Sequence, residues 1–310
     1  MLQNENKQKV LVTGSSGFLG SHFADALDDY GFETVLFDKT PSKYKKKYQN
    51  EIIGDITDIA DINRAIKGCS YIFHFAGQAD INDSSKNVSN TIESNIIGTQ
   101  KILEASVEND IERIFFASTI YVYSELGSFY RVSKQACEKL VEEYSKEFGL
   151  DFTILRFGSI YGPRANEFNS INNMITQAII DGKIVRRGDG EEVREYIHVL
   201  DAAQLSLQAL DQEFINKHLI ITGSQQIKIK ELLTMIQEIL QDDVEIEYGH
   251  EEELHHYQIT PYAFKPRIAK KIVPKSHYDL GQGLLDLVFV LADKLQKENN
   301  PVNISLRKRK

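Results

Sequence analysis

The sequence predicts an α/β fold built on a parallel sheet with helices on both faces. Short apolar runs alternate with helix-length stretches through the first half of the chain, which is typical of repeated β-α-β units. The 310 residues, 42% of them apolar, can bury a full core in one large domain or in one domain with a smaller lobe. The strand-like runs are residues 9–13, 34–38, 51–54, 71–76, 113–118 and 152–158.

The spacing of the elements changes after Gly162-Pro163, where the apolar runs become shorter. We interpret residues 163–310 as mainly a smaller C-terminal lobe, part of which folds back onto the sheet domain of residues 1–162. The strands expected in this half are residues 184–187, 193–198 and 218–222. The helices expected here are residues 169–181, 200–211, 227–240 and 283–295.

Charge and cysteine content narrow the possible function classes. A net charge of -9 argues against a general phosphate-binding surface, so we expect no nucleic-acid partner and read the basic end Arg307–Lys310 as a solvated terminus. Cys69 and Cys137 lie far apart without histidines at metal-ligand spacing, which predicts neither a metal site nor a disulfide framework. No apolar run approaches the length of a membrane helix. We therefore expect a soluble, cytoplasmic protein without a membrane segment.

The most informative motif is the glycine turn between the first strand and the first helix. Gly14 permits the tight turn, Gly17 lets the backbone approach a ligand, and Gly20 lets the helix pack closely on the sheet. Phosphates bind well at the positive N-terminal end of such a helix. The turn therefore predicts a dinucleotide pyrophosphate site, with Phe18 and Leu19 in the same cofactor site.

Residues after the next strands complete the predicted cofactor site. Asp38 ends the second strand, where its carboxylate suits the adenosine ribose hydroxyls and repels a 2′-phosphate, so we expect NAD. Lys39 is expected in the cofactor site next to Asp38, and together with the lysines at 43 and 45–47 it leaves NADP open as the alternative. Asp55-Ile56 and Phe75-Ala76-Gly77 follow the next two apolar runs and are expected to contact the adenine and the nicotinamide ribose.

A possible catalytic group follows the fifth strand. Tyr130 and Lys134 are four residues apart and share one helix face. An ammonium beside a phenol favours the phenolate, and oxidised nicotinamide adds positive charge, so we expect the pKa of Tyr130 to fall below its usual value of about 10. Thr119 ends the strand that points to this site and is expected to hydrogen-bond the reacting oxygen. Lys134 is also expected to hold the nicotinamide ribose.

Together these residues resemble an extended short-chain dehydrogenase/reductase of the NAD-dependent sugar epimerase/dehydratase family, over roughly residues 9 to 210. The resemblance implies that residues 1–162 form an NAD-binding Rossmann domain and that residues 163–310 mainly bind a nucleotide-diphosphate sugar. The motifs that carry it are Gly14/Gly17/Gly20, Asp38, Asp55-Ile56, His74 to Gly77, Asn95 with Gly98-Thr99, Tyr130 with Lys134, Leu155-Arg156 to Tyr161-Gly162-Pro163, Gly188-Asp189-Gly190 and Arg194 to Asp201.

The resemblance also implies roles for individual residues. Thr119, Tyr130 and Lys134 would be catalytic, and Asn95 would belong to the cofactor site. Arg194 would grip the diphosphate of the substrate, which suits the planar fork of a guanidinium. We expect Ser118 to bind substrate as well, and Arg267 to be a second phosphate ligand.

One departure from the family pattern favours a particular reaction. Relatives that dehydrate or decarboxylate their sugar usually carry an acid just after the Ser/Thr, whereas this chain has Ile120 and Tyr121. We therefore expect a nucleotide-sugar 4-epimerase, which oxidises C4 to a 4-keto sugar and reduces it again on the opposite face. The alternatives are a dehydratase, a decarboxylase or a keto-sugar reductase of the same family, or a non-catalytic NAD-binding regulator. The short link from Tyr123 to Tyr130 leaves the sugar undetermined.

The family also implies a homodimer, formed by the helices near residues 91–108 and 130–147. The apolar residues of these helices would give more apolar surface than packing on one sheet requires. They are Ile92, Ile96, Ile102, Leu103, Ala136, Leu140, Val141 and Tyr144.

Overall fold

The computed structural model describes residues 8–240, 244–249, 259–260, 270–272, 277–298 and 300. The described residues form two compact units. One contains residues 8–157, 202–221 and 270–272, and the other contains 158–201, 222–240, 244–249, 259–260, 277–298 and 300. The division after residue 157 precedes the boundary expected at residue 162, and residues 202–221 belong to the first unit.

The first unit is the expected α/β domain, and its fold class is confirmed. Its elements up to residue 157 are β1 (Lys9–Thr13), α1 (Phe18–Tyr30), β2 (Glu33–Asp38), β3 (Asn50–Ile53), α2 (Ile59–Ile66), β4 (Tyr71–His74), α3 (Ile81–Lys86), α4 (Val88–Thr91), α5 (Gly98–Glu108), β5 (Arg113–Thr119), α6 (Ser128–Phe148) and β6 (Asp151–Phe157). Residues Ile92–Ile97 form a π-helical segment between α4 and α5. The single helix expected near residues 91–108 is therefore interrupted.

The second half of the chain contains β7 (Ser159–Tyr161), α7 (Ser170–Asp181), β8 (Lys183–Arg187), β9 (Val193–His198), α8 (Val199–Gln208), β10 (Lys217–Ile221), β11 (Gln226–Lys228), α9 (Ile229–Ile239), β12 (Glu245–Gly249), β13 (Lys270–Ile272) and α10 (Leu280–Lys297). In the second unit, β11, β9 and β7 form one small sheet, and β12 pairs with β8. Among the described residues, no helix is long and apolar enough to span a membrane.

The central sheet has eight parallel strands in the order β13-β10-β6-β5-β4-β1-β2-β3. The chain reverses direction across the sheet between β1 and β4, because β2 and β3 lie on one side of β1 and β4 to β6 on the other. All seven residues of β5 are buried, as expected for a central strand covered on both faces. In open α/β sheets, ligands bind at the carboxyl ends of the strands at such a reversal.

The core of the first unit includes residues that the sequence analysis had assigned to a dimer surface. Ile102, Leu103 and Val141 are buried in this core, and Ile96, Leu140 and Tyr144 are half-buried against it. Ile92 is 44% exposed. The helical periodicity was correct, but it did not distinguish the side that packs on the sheet from the side that faces solvent. The apolar surface of these helices is therefore smaller than expected.

Candidate active site

The glycine turn lies between β1 and α1 and is held against the neighbouring strands. The Gly14 amide donates to the Phe37 carbonyl at 2.9 Å, and the Gly17 amide donates to the Gly14 carbonyl at 3.0 Å. Gly14 has a φ of +70°, and a Cβ there would lie 2.7 Å from the amide nitrogen of Ala76. Only glycine fits this position without backbone movement.

The start of α1 is also packed too closely for a side chain. A Cβ at Gly20 would lie 2.1 Å from the Gly14 carbonyl oxygen. The first turn of α1 contains no acidic residue, so its free amides keep their positive character. A tight turn with the backbone exposed at a helix N-terminus fits a pyrophosphate. The residues present thus fit the dinucleotide that the sequence predicts here.

Asp38 lies directly beside this turn. One oxygen of its carboxylate accepts from the Ser16 amide at 3.0 Å, and the other accepts from the Thr40 amide at 3.2 Å. The structure therefore brings the predicted ribose-binding acid and the glycine turn together. Lys39 forms an ion pair with Asp55 at 3.0 Å. Burial tends to raise the pKa of Asp55, but hydrogen bonds from Thr57 and the nearby Lys39 outweigh it, so the pKa is lowered.

The segment after β4 is tied both to the glycine turn and to α6. The Ala76 amide donates to the Thr13 hydroxyl at 3.2 Å. Asn95 is buried, accepts from the Gln78 amide at 2.6 Å, and donates to the Ser133 hydroxyl at 2.8 Å. Asn95 therefore uses its side chain to hold this segment to α6. Its predicted place in the cofactor site stays a prediction.

The glycines and apolar residues of the predicted cofactor site have different surroundings. Gly77 has a φ of +149°, and a Cβ there would lie 2.6 Å from the Asn95 side-chain oxygen. Ile56 is buried, whereas Phe18, Leu19 and Phe75 are half-buried. Direct contact of these residues with a cofactor also stays a prediction.

The three predicted catalytic residues meet at the end of β5. The side chain of Thr119 lies beside that of Tyr130 and acts as a hydrogen-bond donor that lowers the pKa of the phenol. The Thr119 hydroxyl also accepts from the Tyr121 amide at 3.3 Å, which leaves its own proton free to be donated to the phenol oxygen. The Lys134 ammonium donates to the Ala117 carbonyl at 2.8 Å and lies 6.0 Å from the centre of the Tyr130 ring. This arrangement can hold and move a proton at the phenol oxygen.

The pKa of Tyr130 differs from the sequence-based expectation. Burial raises it to about 12, and the hydrogen bond from Thr119 offsets only part of this effect. The expected lowering by Lys134 is therefore wrong for the chain by itself. Burial also lowers the pKa of Lys134, although Cys137 and Glu138 act in the opposite direction. The groups of the chain thus keep the phenol protonated near neutral pH.

Ser118 does not join this group. Its hydroxyl donates to the Glu138 carboxylate at 2.6 Å in a buried position. The Ser118 hydroxyl is therefore engaged with Glu138 of α6 and not with Tyr130. Its predicted role as a substrate ligand has no support from this geometry.

Two arginines are predicted to bind phosphate. Arg194 belongs to the second unit, is buried, and donates to the Val193 carbonyl at 3.1 Å. Arg267 lies outside the described residues. Both assignments stay predictions.

Sequence reasoning missed buried residues that belong to or contact the helix of Tyr130 and Lys134. Ser84 of α3 is buried, and its hydroxyl accepts from the Tyr130 amide at 3.2 Å in the first turn of α6. Glu138 and Arg156 form a buried ion pair with a shortest distance of 2.6 Å. A charged residue between the apolar Leu155 and Phe157 of β6, and an acid one turn after Lys134, are signals that could have identified this pair.

Comparisons with known proteins agree with this geometry. The model of the NAD dependent epimerase/dehydratase family matches residues 10–221. The chain is 28% identical to UDP-N-acetyl-alpha-D-glucosaminuronate decarboxylase of Bacillus cytotoxicus over 84% of this chain and 87% of the relative. It is also 28% identical to a putative UDP-glucose 4-epimerase of Methanocaldococcus jannaschii, over 73% and 81%.

A solved structure with a similar fold is UDP-glucose 4-epimerase with UDP-glucose from Thermotoga maritima. The TM-score is 0.82 at 25% identity, with coverage of 93% of this chain and 100% of the other. The family match spans the glycine turn, Asp38 and the Thr119, Tyr130 and Lys134 group. The chain therefore belongs to the NAD dependent epimerase/dehydratase family, as an enzyme of the epimerase/dehydratase class whose cofactor is NAD.

Proposed function

We propose that this chain is an NAD-dependent nucleotide-sugar 4-epimerase. The observation that carries the proposal is the contact between Thr119 and Tyr130, close to Lys134, at the carboxyl end of β5. Ile120, the next residue, is buried, and Tyr121 follows it. Neither side chain is the carboxylic acid that relatives use to exchange a proton at a neighbouring carbon. This favours oxidation and reduction at one carbon.

The proposed mechanism assigns a task to each side chain. Bound NAD supplies reversible hydride transfer and, when oxidised, a positive charge. In its ionised form, which the positive charge of oxidised NAD would favour, Tyr130 takes the proton of the C4 hydroxyl as C4 becomes a ketone, and it returns this proton after the sugar has turned its opposite face. Thr119 donates to the phenol oxygen and stabilises its anionic form. Lys134 supplies a positive charge, held in place by the Ala117 carbonyl.

The substrate proposed for this site is a nucleotide-diphosphate sugar. Two relatives support this class, because one is named as a UDP-sugar decarboxylase and the other as a putative UDP-glucose 4-epimerase. We propose that Arg194 binds the diphosphate, because a buried guanidinium can hold phosphate oxygens with two parallel hydrogen bonds. Arg267 is the proposed second phosphate ligand.

Decarboxylation is the second candidate function, because one of the relatives is a UDP-sugar decarboxylase. A decarboxylase releases carbon dioxide from a sugar acid, whereas a 4-epimerase conserves every atom of its substrate. A dehydratase differs from a 4-epimerase because it removes water from the sugar. A keto-sugar reductase differs because it consumes NADH. A non-catalytic NAD-binding regulator would convert no sugar. The presence of Thr119, Tyr130 and Lys134 argues against that role.

A panel assay distinguishes these activities. The protein is incubated with UDP-glucose, UDP-N-acetylglucosamine and UDP-glucuronic acid, and the products are followed by NMR at the C4 proton. We expect conversion of at least one sugar to its C4 epimer without carbon dioxide release or accumulation of NADH. Tyr130→Phe is expected to lose this conversion by about 100-fold or more while it still binds NAD. Near-normal turnover of this variant would remove Tyr130 from the mechanism.

We also propose a homodimer through the exposed sides of the helices near residues 91–108 and 130–147. Ile92, Phe129 and Val132 are each between 44% and 46% exposed, so these segments keep apolar side chains available for a contact with a second copy. Analytical ultracentrifugation at micromolar concentration tests this proposal, and a monomer would contradict it. The cytoplasmic location stays a prediction.

A further inference from the structure

A buried ion pair joins α6, the helix of Tyr130 and Lys134, to β6. Glu138 of α6 and Arg156 of β6 are each only 4% exposed. The Arg156 Nε and Nη2 atoms donate to the two carboxylate oxygens of Glu138 at 2.9 and 2.6 Å. The pair is therefore bidentate, which fixes the relative orientation of the two side chains as well as their distance.

The ion pair is connected to both sides of the catalytic group. Tyr130, Lys134 and Glu138 are spaced four residues apart and therefore share one face of α6. Ser118 lies opposite Arg156 in the register of β5 and β6, and its hydroxyl donates to Glu138 at 2.6 Å. The ion pair therefore joins the helix that carries Tyr130 to the strand residue that precedes Thr119.

The far end of the segment after Thr119 is attached to the same guanidinium. Arg156 donates through Nη1 to the Tyr123 hydroxyl, and its guanidinium carbon lies 4.8 Å from the centre of the Tyr123 ring. Ile120–Tyr123 form a single 3₁₀ turn between these points. Thr119 and this turn are therefore held at Ser118 on one side and at Tyr123 on the other.

His218 is a further partner of Arg156. The Arg156 Nη2 atom lies 2.8 Å from the His218 Nδ1 atom, and the His218 Nε2 atom lies 3.2 Å from the Glu142 carboxylate. Since a guanidinium can only donate, Nδ1 is assigned as the acceptor and Nε2 as the protonated nitrogen. Arg156 thus has a partner on each side, and its position is closely determined.

We propose that Glu138 and Arg156, with Ser118 and Tyr123, form a positioning clamp that sets the Thr119 hydroxyl against the Tyr130 phenol. This inference rests on the proposed function, and it assigns Ser118 a positioning role in place of the expected substrate contact. Burying an ion pair adds little stability compared with apolar side chains of the same volume, so orientation is the property that this pair contributes. A displacement of about 1 Å at a reacting group can lower the rate about 100-fold.

The test uses variants that loosen the clamp without leaving a buried charge unpaired. Ser118→Ala removes the hydrogen bond to Glu138, and Tyr123→Phe removes the hydroxyl that accepts from Arg156. Tyr48→Phe, at a side chain that is 73% exposed, and Ser85→Ala are the matched controls. Each protein is assayed for kcat and KM with UDP-glucose, and its NAD affinity is measured by calorimetry.

We expect Ser118→Ala and Tyr123→Phe each to lower kcat about tenfold or more, with KM and NAD affinity changed by less than about twofold. The two controls are expected to match the unmodified protein. A raised KM with unchanged kcat for Ser118→Ala would restore the substrate-contact role and overturn the proposal. Unchanged kcat for both clamp variants would also overturn it.

Two further measurements keep the test decisive. In a Thr119→Val background, Ser118→Ala is expected to lower kcat by less than about twofold more, because a residue that acts through Thr119 has nothing left to position. An undiminished effect would overturn the proposal. Hydrogen exchange of residues 119–123 is expected to be faster in both clamp variants, and unchanged exchange would overturn it too. Because exchange does not depend on turnover, it decides the clamp even if the protein fails to epimerise any sugar.

Discussion

Replacing Gly14 by alanine tests the cofactor site most sharply, because Gly149 provides a matched control. Gly14 has a φ of +70° and Gly149 a φ of +74°, so alanine meets the same backbone strain at both positions. In the described part of the chain, no atom beyond the adjoining backbone lies within 4 Å of a Cβ at Gly149. At Gly14 the Cβ would lie 2.7, 2.8 and 2.9 Å from backbone atoms of Phe75 and Ala76. The two variants therefore differ mainly in this overlap.

The magnitudes follow from these distances. Left-handed backbone costs an L-residue about 1–2 kcal/mol, and the reduced entropy of the unfolded chain returns about 0.4–1 kcal/mol. We therefore expect Gly149→Ala to lower the free energy of unfolding by about 1 kcal/mol. Overlap with packed atoms costs about 1–3 kcal/mol more, so Gly14→Ala is expected to lose about 2–4 kcal/mol.

The assay combines urea unfolding with calorimetric titration of NAD. Gly14→Ala is expected to bind NAD at least about tenfold more weakly, because the turn must move away from Ala76 to admit the methyl group. Gly149→Ala is expected to bind NAD with the affinity of the unmodified protein. If both variants bind NAD equally well, the glycine turn is not the pyrophosphate site and the reasoning fails.

Three further outcomes are expected. The Tyr130 phenol should titrate at about pH 12 in the chain alone and about 1–3 units lower with oxidised NAD. The titration is followed as the absorbance difference between the unmodified protein and Tyr130→Phe. If oxidised NAD leaves the pKa unchanged, the positive charge of the cofactor has no role in the mechanism. Ser84→Ala should lower the free energy of unfolding by about 1 kcal/mol more than the control Ser85→Ala, because Ser84 accepts a hydrogen bond from the Tyr130 amide and Ser85 does not. Equal losses of the two variants in urea unfolding would contradict this expectation. Asp38→Asn should reduce the preference for NAD over NADP about tenfold in calorimetric titrations, since it removes the charge that repels a 2′-phosphate. An unchanged ratio of the NAD and NADP affinities would show that Asp38 does not select the cofactor.

Much of the first unit could be predicted because its signals are local. A buried parallel strand is a short apolar run, and the turn after β1 needs glycine for reasons of backbone geometry. The run 9–13 therefore predicted the limits of β1, and the three glycines predicted the tight turn between β1 and α1. The group formed by Thr119, Tyr130 and Lys134 was also predicted, because two of its members share a helix face and the third ends a neighbouring strand.

Other features depend on tertiary packing, which a single sequence does not show. Ser118 and Thr119 are adjacent and chemically similar, but Ser118 contacts Glu138 and Thr119 lies beside Tyr130, two residues that are two turns apart on α6. Apolar periodicity placed Val141 on a helix face without showing that this face packs on the sheet. The raised pKa of Tyr130 arises from burial, which spacing from a lysine does not reveal.

The second unit was harder to predict for a related reason. Its strands are short and belong to small sheets, so each gives a weak local signal. The strand β9 matched the expected residues 193–198, but the return of residues 202–221 to the first unit depends on pairing between β10 and β6. Such long-range pairing has no local signature in the sequence.

Transfer of a deuterium label at C4 tests the central claim of C4 inversion most directly. The protein is incubated with UDP-galactose that carries deuterium at C4, and the products are followed by NMR. We predict UDP-glucose that retains the deuterium at C4, with no release of carbon dioxide and no accumulation of reduced cofactor, because the same hydride leaves and returns. Loss of the label to solvent, or no inversion at C4 for this or any other UDP-sugar, would contradict the account.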